Sequence, residues 1–366
     1  MAGRVSFRNV RTLDFSWNEV TGAVGDSVTV LPIVVAVGVL TDLSLTVMLV
    51  WFGIFQVVWG LYYGVPVSVE PMKAVSALVI AGTITAGELL VAGTVLGVVL
   101  LAIGTTRSLE RFGAYVGSPV VRGIQFGVAL VLLQTGVDLA SRNLVLAGVA
   151  GVVAVGFVAR GYWKLSAFGV LVLGGVVAAA STGVPSPSLP TTDAVLLYGP
   201  EDLTLPAVEA AVGQLAMTLG NAALATSLLL SDYFDRDVSP DALTTSMGVM
   251  NLAALPFGAL PMCHGSGGVA GKYSFGARTA GANVILGLGY IAAAVLAVGL
   301  VAAYPVSMLG AILVLVGLQL GRTALEQSDE YALVGAIGVC GLLVNLGVAF
   351  VGGVVVHLLQ RRDGSD

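Results

Sequence analysis

The chain has 366 residues, of which 57% are hydrophobic and only 10% are charged, and its mean hydropathy is +0.97. Soluble globular domains of this length do not reach such values, so the composition excludes them and indicates an integral membrane protein. The net charge is −5, and the two cysteines, Cys263 and Cys340, both lie in apolar surroundings. A disulfide framework and a zinc site are therefore not expected.

Charge-free windows mark the predicted membrane segments. Crossing a bilayer takes about 20 residues, so the longer windows must hold two spans. In chain order we predict spans at 20–40, 43–63, 88–104, 118–137, 143–159, 165–182, 207–230, 241–258, 282–302 and 304–321, half-helices at 71–87 and 265–281, and two short spans across 331–358. For the last stretch one long tilted helix is the alternative. Little sequence lies between these segments, so residues 1–366 are expected to form a single polytopic membrane domain without a soluble regulatory domain.

The distribution of lysine and arginine predicts the orientation in the membrane. The loop from Ser181 to Pro206 contains three acidic residues but no lysine or arginine, and basic residues favour the cytoplasmic side. This loop should therefore be external. The same rule places both termini in the cytoplasm, and we expect a multi-pass protein of the cell (plasma) membrane.

The segment Leu260–Arg278, LPMCHGSGGVAGKYSFGAR, carries a glycine-rich break inside an apolar stretch. No formal charge occurs between Asp241 and Lys272, so irregular backbone there would sit at bilayer depth and must be covered by protein or a watery cavity. A half-helix starting at this break would point free N–H groups and a positive dipole end into the middle of the membrane. The pattern predicts an anion-binding site.

The two halves of the chain share a sequence motif. A Pro-Met pair stands in the third segment of each half, in VEPMKAVSALVIAG at 69–82 and in ALPMCHGSGGVAG at 259–271. Seven segments per half is an odd number, so the second half enters the membrane from the opposite side, which predicts an inverted repeat. Asp26 and Asn221 occupy roughly matching places in the first and eighth segments, where they either line a cavity or tie segments together.

PMCHGSGGVAGKYSFGAR, VEPMKAVSA and the N-terminal NEVTGAVGDSVTVLPIVVA resemble the signature regions of the molybdate transporter family, a branch of the sulfate permease superfamily. The resemblance implies a fold like that of uracil permease: an all-α integral membrane fold of about 14 transmembrane segments in two inverted seven-segment repeats, with segments 3 and 10 as broken half-helices. It also implies a substrate-carrying core domain, residues 17–106 plus 207–304, beside a gate domain, residues 107–183 plus 305–360.

In that fold the substrate lies between the facing N-termini of the two half-helices. The resemblance places these residues there: Pro71, Met72, Lys73, His264, Gly265, Ser266, Gly267 and Gly268. The chain departs from the family at Glu70, where glutamine is usual. A fixed carboxylate would repel an anion, so Glu70 either takes up a proton with the substrate or pairs with Lys73.

Several of these residues have a structural alternative. The glycines could serve only close helix packing, and His264 could be a buried structural histidine rather than a hydrogen-bonding or titrating group in the site. Lys272 either extends to the membrane interface or joins the site.

No catalytic set is present in the sequence, so we expect neither an enzyme nor a cofactor nor a metal site. The expected function is secondary active transport of a tetrahedral oxyanion by alternating access, with molybdate as the substrate. The alternatives are a sulfate or other anion or nucleobase permease, and an anion channel that uses the same half-helix site. The expected partners are the oxyanion, with tungstate or sulfate as further candidates, a proton as a candidate co-substrate, the lipid bilayer and a candidate homodimer, but no nucleic acid.

Overall fold

The computed structural model describes residues 13–109, 116–183, 186, 198–296 and 298–363. Within these ranges seven helices are long and apolar enough to cross a membrane, and shorter apolar helices accompany them. The helices, numbered in chain order, are α1 Trp17–Leu40, α2 Leu45–Tyr63, α3 Lys73–Ile80, α4 Ala86–Thr106, α5 Ser118–Ala140, α6 Leu144–Ala159, α7 Ser166–Thr182, α8 Leu205–Met217, α9 Thr226–Phe234, α10 Pro240–Ala254, α11 Ser266–Ser274, α12 Gly281–Leu296, α13 Val306–Glu326, α14 Tyr331–Leu343 and α15 Leu346–Asp363. A π-helical segment, Thr218–Ala225, joins α8 to α9, and two short strands, β1 (Glu70–Pro71) and β2 (Met262–Cys263), precede α3 and α11.

Grouped by membrane crossing, the described elements form 14 segments. Segment 3 is β1 with α3, segment 8 runs from α8 through α9, and segment 10 is β2 with α11. The predicted all-α membrane fold with broken segments 3 and 10 is therefore confirmed. The stretch 331–358 holds two helices rather than one long tilted helix, because α14 ends at Leu343 and α15 begins at Leu346. Half of the loop predicted to be external, 181–206, lies outside the described residues.

The half-helices are shorter than the sequence predicts. They end at Ile80 and Ser274, whereas the prediction extends them to 87 and 281. A glycine in the left-handed region follows each, Gly82 with φ 71° and Gly276 with φ 109°. Each half-helix ends in a Schellman motif, which is closed by two backbone hydrogen bonds. After α3, the Gly82 N–H donates to the Val79 carbonyl at 3.1 Å and the Thr83 N–H donates to the Leu78 carbonyl at 2.9 Å. After α11, the Gly276 N–H donates to the Tyr273 carbonyl at 3.1 Å and the Ala277 N–H donates to the Lys272 carbonyl at 2.9 Å.

The two strands pair with each other in the middle of the fold. They are antiparallel, with Glu70 opposite Cys263 and Pro71 opposite Met262. Side chains from intact helices form hydrogen bonds with the backbone groups at the outer edges of this strand pair. The Asn251 amide of α10 accepts from the Met262 N–H at 2.8 Å and donates to the Met262 carbonyl at 2.7 Å. This pairing is required because lipid offers no hydrogen bonds to irregular backbone.

Helix packing repeats between the two halves, as an inverted repeat requires. Each segment of the first half corresponds to the segment seven places later in the second half. Segment 2 (α2) therefore corresponds to segment 9 (α10), and segment 4 (α4) corresponds to segment 11 (α12). The contacts of α2 with α12 and of α4 with α10 are therefore equivalent pairs. In the same way the contact of α1 with α11 corresponds to that of α8 with α3.

We expect Asn251→Leu to lower the free energy of unfolding by about 2–5 kcal/mol, because it leaves the Met262 N–H and C=O unpaired in a dry interior. Denaturant unfolding of the purified protein in detergent would measure this loss. Asn143→Ala is the control, since it removes only an exposed cap of α6 and should cost about 1 kcal/mol. Equal losses in both variants would contradict the role given to Asn251.

Candidate functional site

The N-terminus of half-helix α3 is occupied by a side chain from another segment. The residue preceding α3, Met72, provides no side-chain cap. Instead the Gln214 amide oxygen of α8 accepts from the Ala74 N–H at 2.8 Å and from the Val75 N–H at 3.4 Å. Gln214 is buried, and its amide nitrogen donates to the Thr218 hydroxyl at 3.0 Å. A neutral oxygen therefore satisfies two of the free N–H groups of this half-helix.

The N-terminus of half-helix α11 is occupied by a carboxylate. Glu70 Oε1 accepts from the Gly268 N–H at 2.6 Å, and Glu70 Oε2 forms an ion pair with Lys73. Glu70 is fully buried, so water does not screen these contacts. A negative charge here is stabilised by the helix dipole and by the free N–H groups, the same features that would bind an external anion.

One position at the α11 N-terminus remains open. Gly267 is exposed although it lies in a broken membrane segment. A Cβ atom added at Gly267 would have a single neighbour within 4 Å, Glu70 Oε1 at 4.0 Å. By contrast, a Cβ added at Gly265 or Gly268 would overlap the Glu70 carboxylate, so these two glycines are needed for its close approach. Among the predicted residues, Gly267 therefore offers the backbone surface on which a ligand can lie.

Ser266 and Asn221 form a second wall of this position. The Ser266 hydroxyl donates to the Asn221 amide oxygen at 2.6 Å, and both residues are partly exposed. Asn221 lies in the π-helical segment between α8 and α9. Single π turns inside α-helices occur frequently at functional sites. The structure thus brings Asn221 to the start of α11.

A buried ion-pair cluster lies behind Glu70. It consists of Asp26, Gln56, Ser68, Lys272 and Asn283, all fully buried. Lys272 Nζ lies 3.1 Å from Asp26 Oδ2 and donates to Gln56 Oε1 at 2.8 Å and Asn283 Oδ1 at 3.0 Å. The interfacial alternative for Lys272 is wrong, because the residue is fully buried and Asp26 holds its ammonium group inside the protein.

Ser68 links this cluster to Glu70. Its hydroxyl lies 2.6 Å from Asp26 Oδ1, to which it donates, and 3.4 Å from Glu70 Oε1. Two carboxylates and two ammonium groups are therefore joined in one network, and their formal charges cancel. A divalent anion that entered this network would leave it with a net negative charge.

Both ring nitrogens of His264 are bonded to protein groups. Nδ1 lies 2.8 Å from the Ser68 carbonyl, which can only accept, so Nδ1 carries the proton. Nε2 lies 2.7 Å from the Ser246 hydroxyl and accepts from it. The imidazole is fully buried between the rings of Trp59 and Tyr63. This geometry matches the structural alternative for His264, which ties segment 10 to α10.

Pro71 and Met72 hold the strand pair rather than the open position. Pro71 pairs with Met262, and the Met72 N–H donates to the Pro261 carbonyl at 2.8 Å. Both side chains are buried. Lys73 differs from them, since 14% of its side chain is exposed and its ammonium group lies against Glu70.

The sequence analysis missed the amide side chains of Gln56, Gln214 and Asn283. Each interrupts an apolar span, and a polar group at that depth needs a partner. That signal was available, but the sequence does not show which broken segment each amide serves.

We expect Lys272→Met to lower the free energy of unfolding by about 3–5 kcal/mol, because it leaves the Asp26 carboxylate buried without a counter-charge. The double variant Asp26→Asn with Lys272→Met should recover part of this loss, and unfolding in detergent measures both. Arg322→Met is the control, since Arg322 pairs with Glu326 at an exposed position and should cost about 1 kcal/mol or less. A single variant as stable as the wild type would contradict the structural role of Lys272.

Comparison with known proteins identifies the family. Residues 18–132 and 206–320, together more than half of the chain, match the family described as molybdate transporter of MFS superfamily. Molybdate transporter 2 of Arabidopsis thaliana is 26% identical over 94% of this chain and 87% of that protein. Molybdate transporter 1 of the same plant is 27% identical over 93% of this chain and 87% of that protein.

Solved structures match the fold. The transmembrane domain of a cyanobacterium bicarbonate transporter, BicA, superposes with a TM-score of 0.68 at 18% identity, covering 92% of this chain and 97% of that one. The murine anion transporter Slc26a9 in the inward-facing state gives a TM-score of 0.70 at 14% identity, covering 97% of this chain and 69% of that one. At these identities the likeness concerns the fold alone. With the family match, the chain is a multi-pass membrane transporter, not an enzyme, and it belongs to the molybdate transporter family.

Proposed function

We propose that the protein is a secondary active carrier of a tetrahedral oxyanion, with molybdate as the substrate. The observation that carries the proposal is the open position at Gly267, where a half-helix begins inside a broken membrane segment. The anion lies against the first turn of α11, beside the Lys73 ammonium group and the Ser266 hydroxyl. Backbone N–H groups and the helix dipole stabilise its charge.

The relatives support molybdate rather than another oxyanion. Two of them are named molybdate transporters, and the alignments extend over most of both chains. Tungstate and sulfate share the tetrahedral shape and the charge, so a half-helix N-terminus alone separates them poorly. We place the carrier in the plasma membrane with both termini in the cytoplasm, as the loop charges favour.

Helix packing supports movement between the core and gate domains. Within the gate ranges α5 packs on α13 and α14, whereas within the core ranges α2 packs on α12 and α4 on α10. Contacts between the two groups include α5 with α3 and α15 with α8. In the proposed cycle the core carries the half-helices past α5, so that the position at Gly267 faces each side of the membrane in turn.

The charge balance of the site supports proton coupling. The network of Glu70, Lys73, Asp26 and Lys272 is neutral before substrate enters, so a dianion brings two uncompensated charges into a buried region. Protonation of Glu70 removes one of these charges and frees Lys73 to turn from the carboxylate to the substrate. We propose that this proton travels with the oxyanion.

The open position is tested by Gly267→Val, which should reduce molybdate uptake into proteoliposomes about tenfold or more while the protein remains folded. The added side chain enters open space, so it fills the binding position without disturbing its neighbours. Gly175→Val is the matched control, because Gly175 lies on α7 and an added Cβ meets nothing within 4 Å.

Gly268→Val does not make the same test, since its side chain would overlap Asp26, Ser68 and Glu70 and disturb the fold. Competition by unlabelled molybdate, tungstate and sulfate in the same assay ranks the substrates. Normal molybdate uptake by the Gly267→Val variant would show that the binding site lies elsewhere. Stronger competition by sulfate than by molybdate would overturn the assignment of molybdate as the substrate.

Coupling is tested by Glu70→Gln, which keeps the hydrogen bond to Gly268 but cannot exchange a proton. The wild-type affinity for molybdate should rise as the pH falls from about 8 to about 5, because protonation relieves the repulsion. The variant should bind molybdate with an affinity that stays constant over this range, as calorimetry would show. A pH dependence that persists in the variant would remove Glu70 from the coupling.

A further inference from the structure

A cavity of about 160 Å³ lies between the start of α5 and the π-helical segment. Ser118, Val121 and Arg122 line it from α5, and Gly220 and Leu224 line it from the π-helical segment. The two walls belong to the proposed gate and core domains, respectively. The cavity is thus separate from the open position at Gly267, and none of its lining residues was assigned a role from the sequence.

Arg122 is a half-buried cation without a counter-charge among the described residues. Its Nη1 donates to the Gln125 amide oxygen at 2.8 Å, and Gln125 in turn donates to the Leu320 carbonyl at 3.1 Å. Its Nε is buried and has no hydrogen-bond partner in the described part of the chain. A guanidinium group keeps its proton under all ordinary conditions, so it cannot become neutral to escape the cost of burial.

The cavity adjoins the substrate site through the π-helical segment. Gly220 lines the cavity, and the next residue, Asn221, holds Ser266 at the start of α11. The helix that carries Arg122, α5, also packs against half-helix α3. The π-helical segment therefore forms part of the wall of this cavity and also reaches the start of α11.

We propose that this cavity is a second binding site for a tetrahedral oxyanion, where Arg122 receives the transported anion between water and the α11 N-terminus. This inference rests on the proposed function. The central network is neutral, so it does not by itself attract a dianion, whereas the guanidinium group supplies a fixed positive charge and a planar pair of donors suited to an oxyanion.

The test compares molybdate uptake by the full-length protein in proteoliposomes. Arg122→Gln should raise the half-saturating molybdate concentration about tenfold, since a charge-assisted hydrogen bond is lost. Arg122→Lys keeps the charge and should stay within about threefold of the wild type. Arg322→Gln is the matched control, an exposed gate-domain arginine paired with Glu326 that should leave uptake unchanged.

Ser118→Asp provides a test that does not depend on replacing Arg122, and this substitution is expected to stabilise the folded protein. Ser118 is exposed in the first turn of α5, where a carboxylate is stabilised by the helix dipole. At the rim of the cavity that carboxylate neutralises Arg122 and repels an incoming oxyanion. The variant should therefore fold at least as well as the wild type and raise the half-saturating concentration about tenfold as well.

A phospholipid headgroup carries the same tetrahedral anionic chemistry, so the measurements are made in liposomes of phosphatidylcholine alone and with phosphatidylglycerol added. An Arg122→Gln effect of equal size in both compositions supports a soluble oxyanion. An effect confined to liposomes with phosphatidylglycerol would overturn the proposal in favour of lipid. An unchanged half-saturating concentration in Arg122→Gln would also overturn it, while absence of molybdate uptake by the wild type would instead reject the proposed function.

Discussion

Pairing of backbone polar groups at bilayer depth is the constraint on which this structure depends. The two broken segments interrupt helical hydrogen bonding where lipid cannot replace it. Polar side chains from intact spans make up the deficit: Asn251 pairs with β2, Gln214 caps α3 and Gln56 donates to the Val69 carbonyl beside β1 at 3.1 Å. The amides that interrupt the apolar spans are thus explained by the segments that they serve.

The same constraint explains why the two half-helices differ. Both begin without a side-chain cap of their own, and both receive an oxygen from elsewhere. At α3 this oxygen belongs to the neutral amide of Gln214, whereas at α11 it belongs to the carboxylate of Glu70. The repeat is therefore symmetric in backbone and asymmetric in charge. In the proposed cycle an exchangeable anion and proton act at α11, and α3 serves as the fixed partner.

Local patterns in the sequence predicted the architecture well. Charge-free windows located the spans, and the paired Pro-Met motifs located both broken segments, because these signals depend on burial and backbone breaks alone. The lengths of the half-helices were overestimated, although Gly82 and Gly276 stand where the helices end. Glycine is so frequent in this chain, with 49 residues, that a single one gives a weak stop signal.

The site was only partly predictable, since its contacts join residues far apart in the chain. The Glu70 alternatives included the ion pair with Lys73, three residues away, but not the hydrogen bond to Gly268. Lys272 and Asp26 were both noticed, yet nothing local indicates that they pair across segments 1 and 10. The role of His264 was likewise open until its two hydrogen-bond partners were known.

The π-helical segment changes the directions in which the side chains of segment 8 point. Gln214, before it, reaches α3, and the Thr226 hydroxyl, after it, lies 3.3 Å from the His264 carbonyl that leads into α11. In an uninterrupted α-helix, with about 3.6 residues per turn, these two positions would point about a third of a turn apart. The wider i→i+5 turns of the π-helical segment change this rotation, so that Gln214 and Thr226 point toward the same side of segment 8. A single span can thereby hold both half-helices at once, and any rewinding of its middle would release one of them while keeping the other.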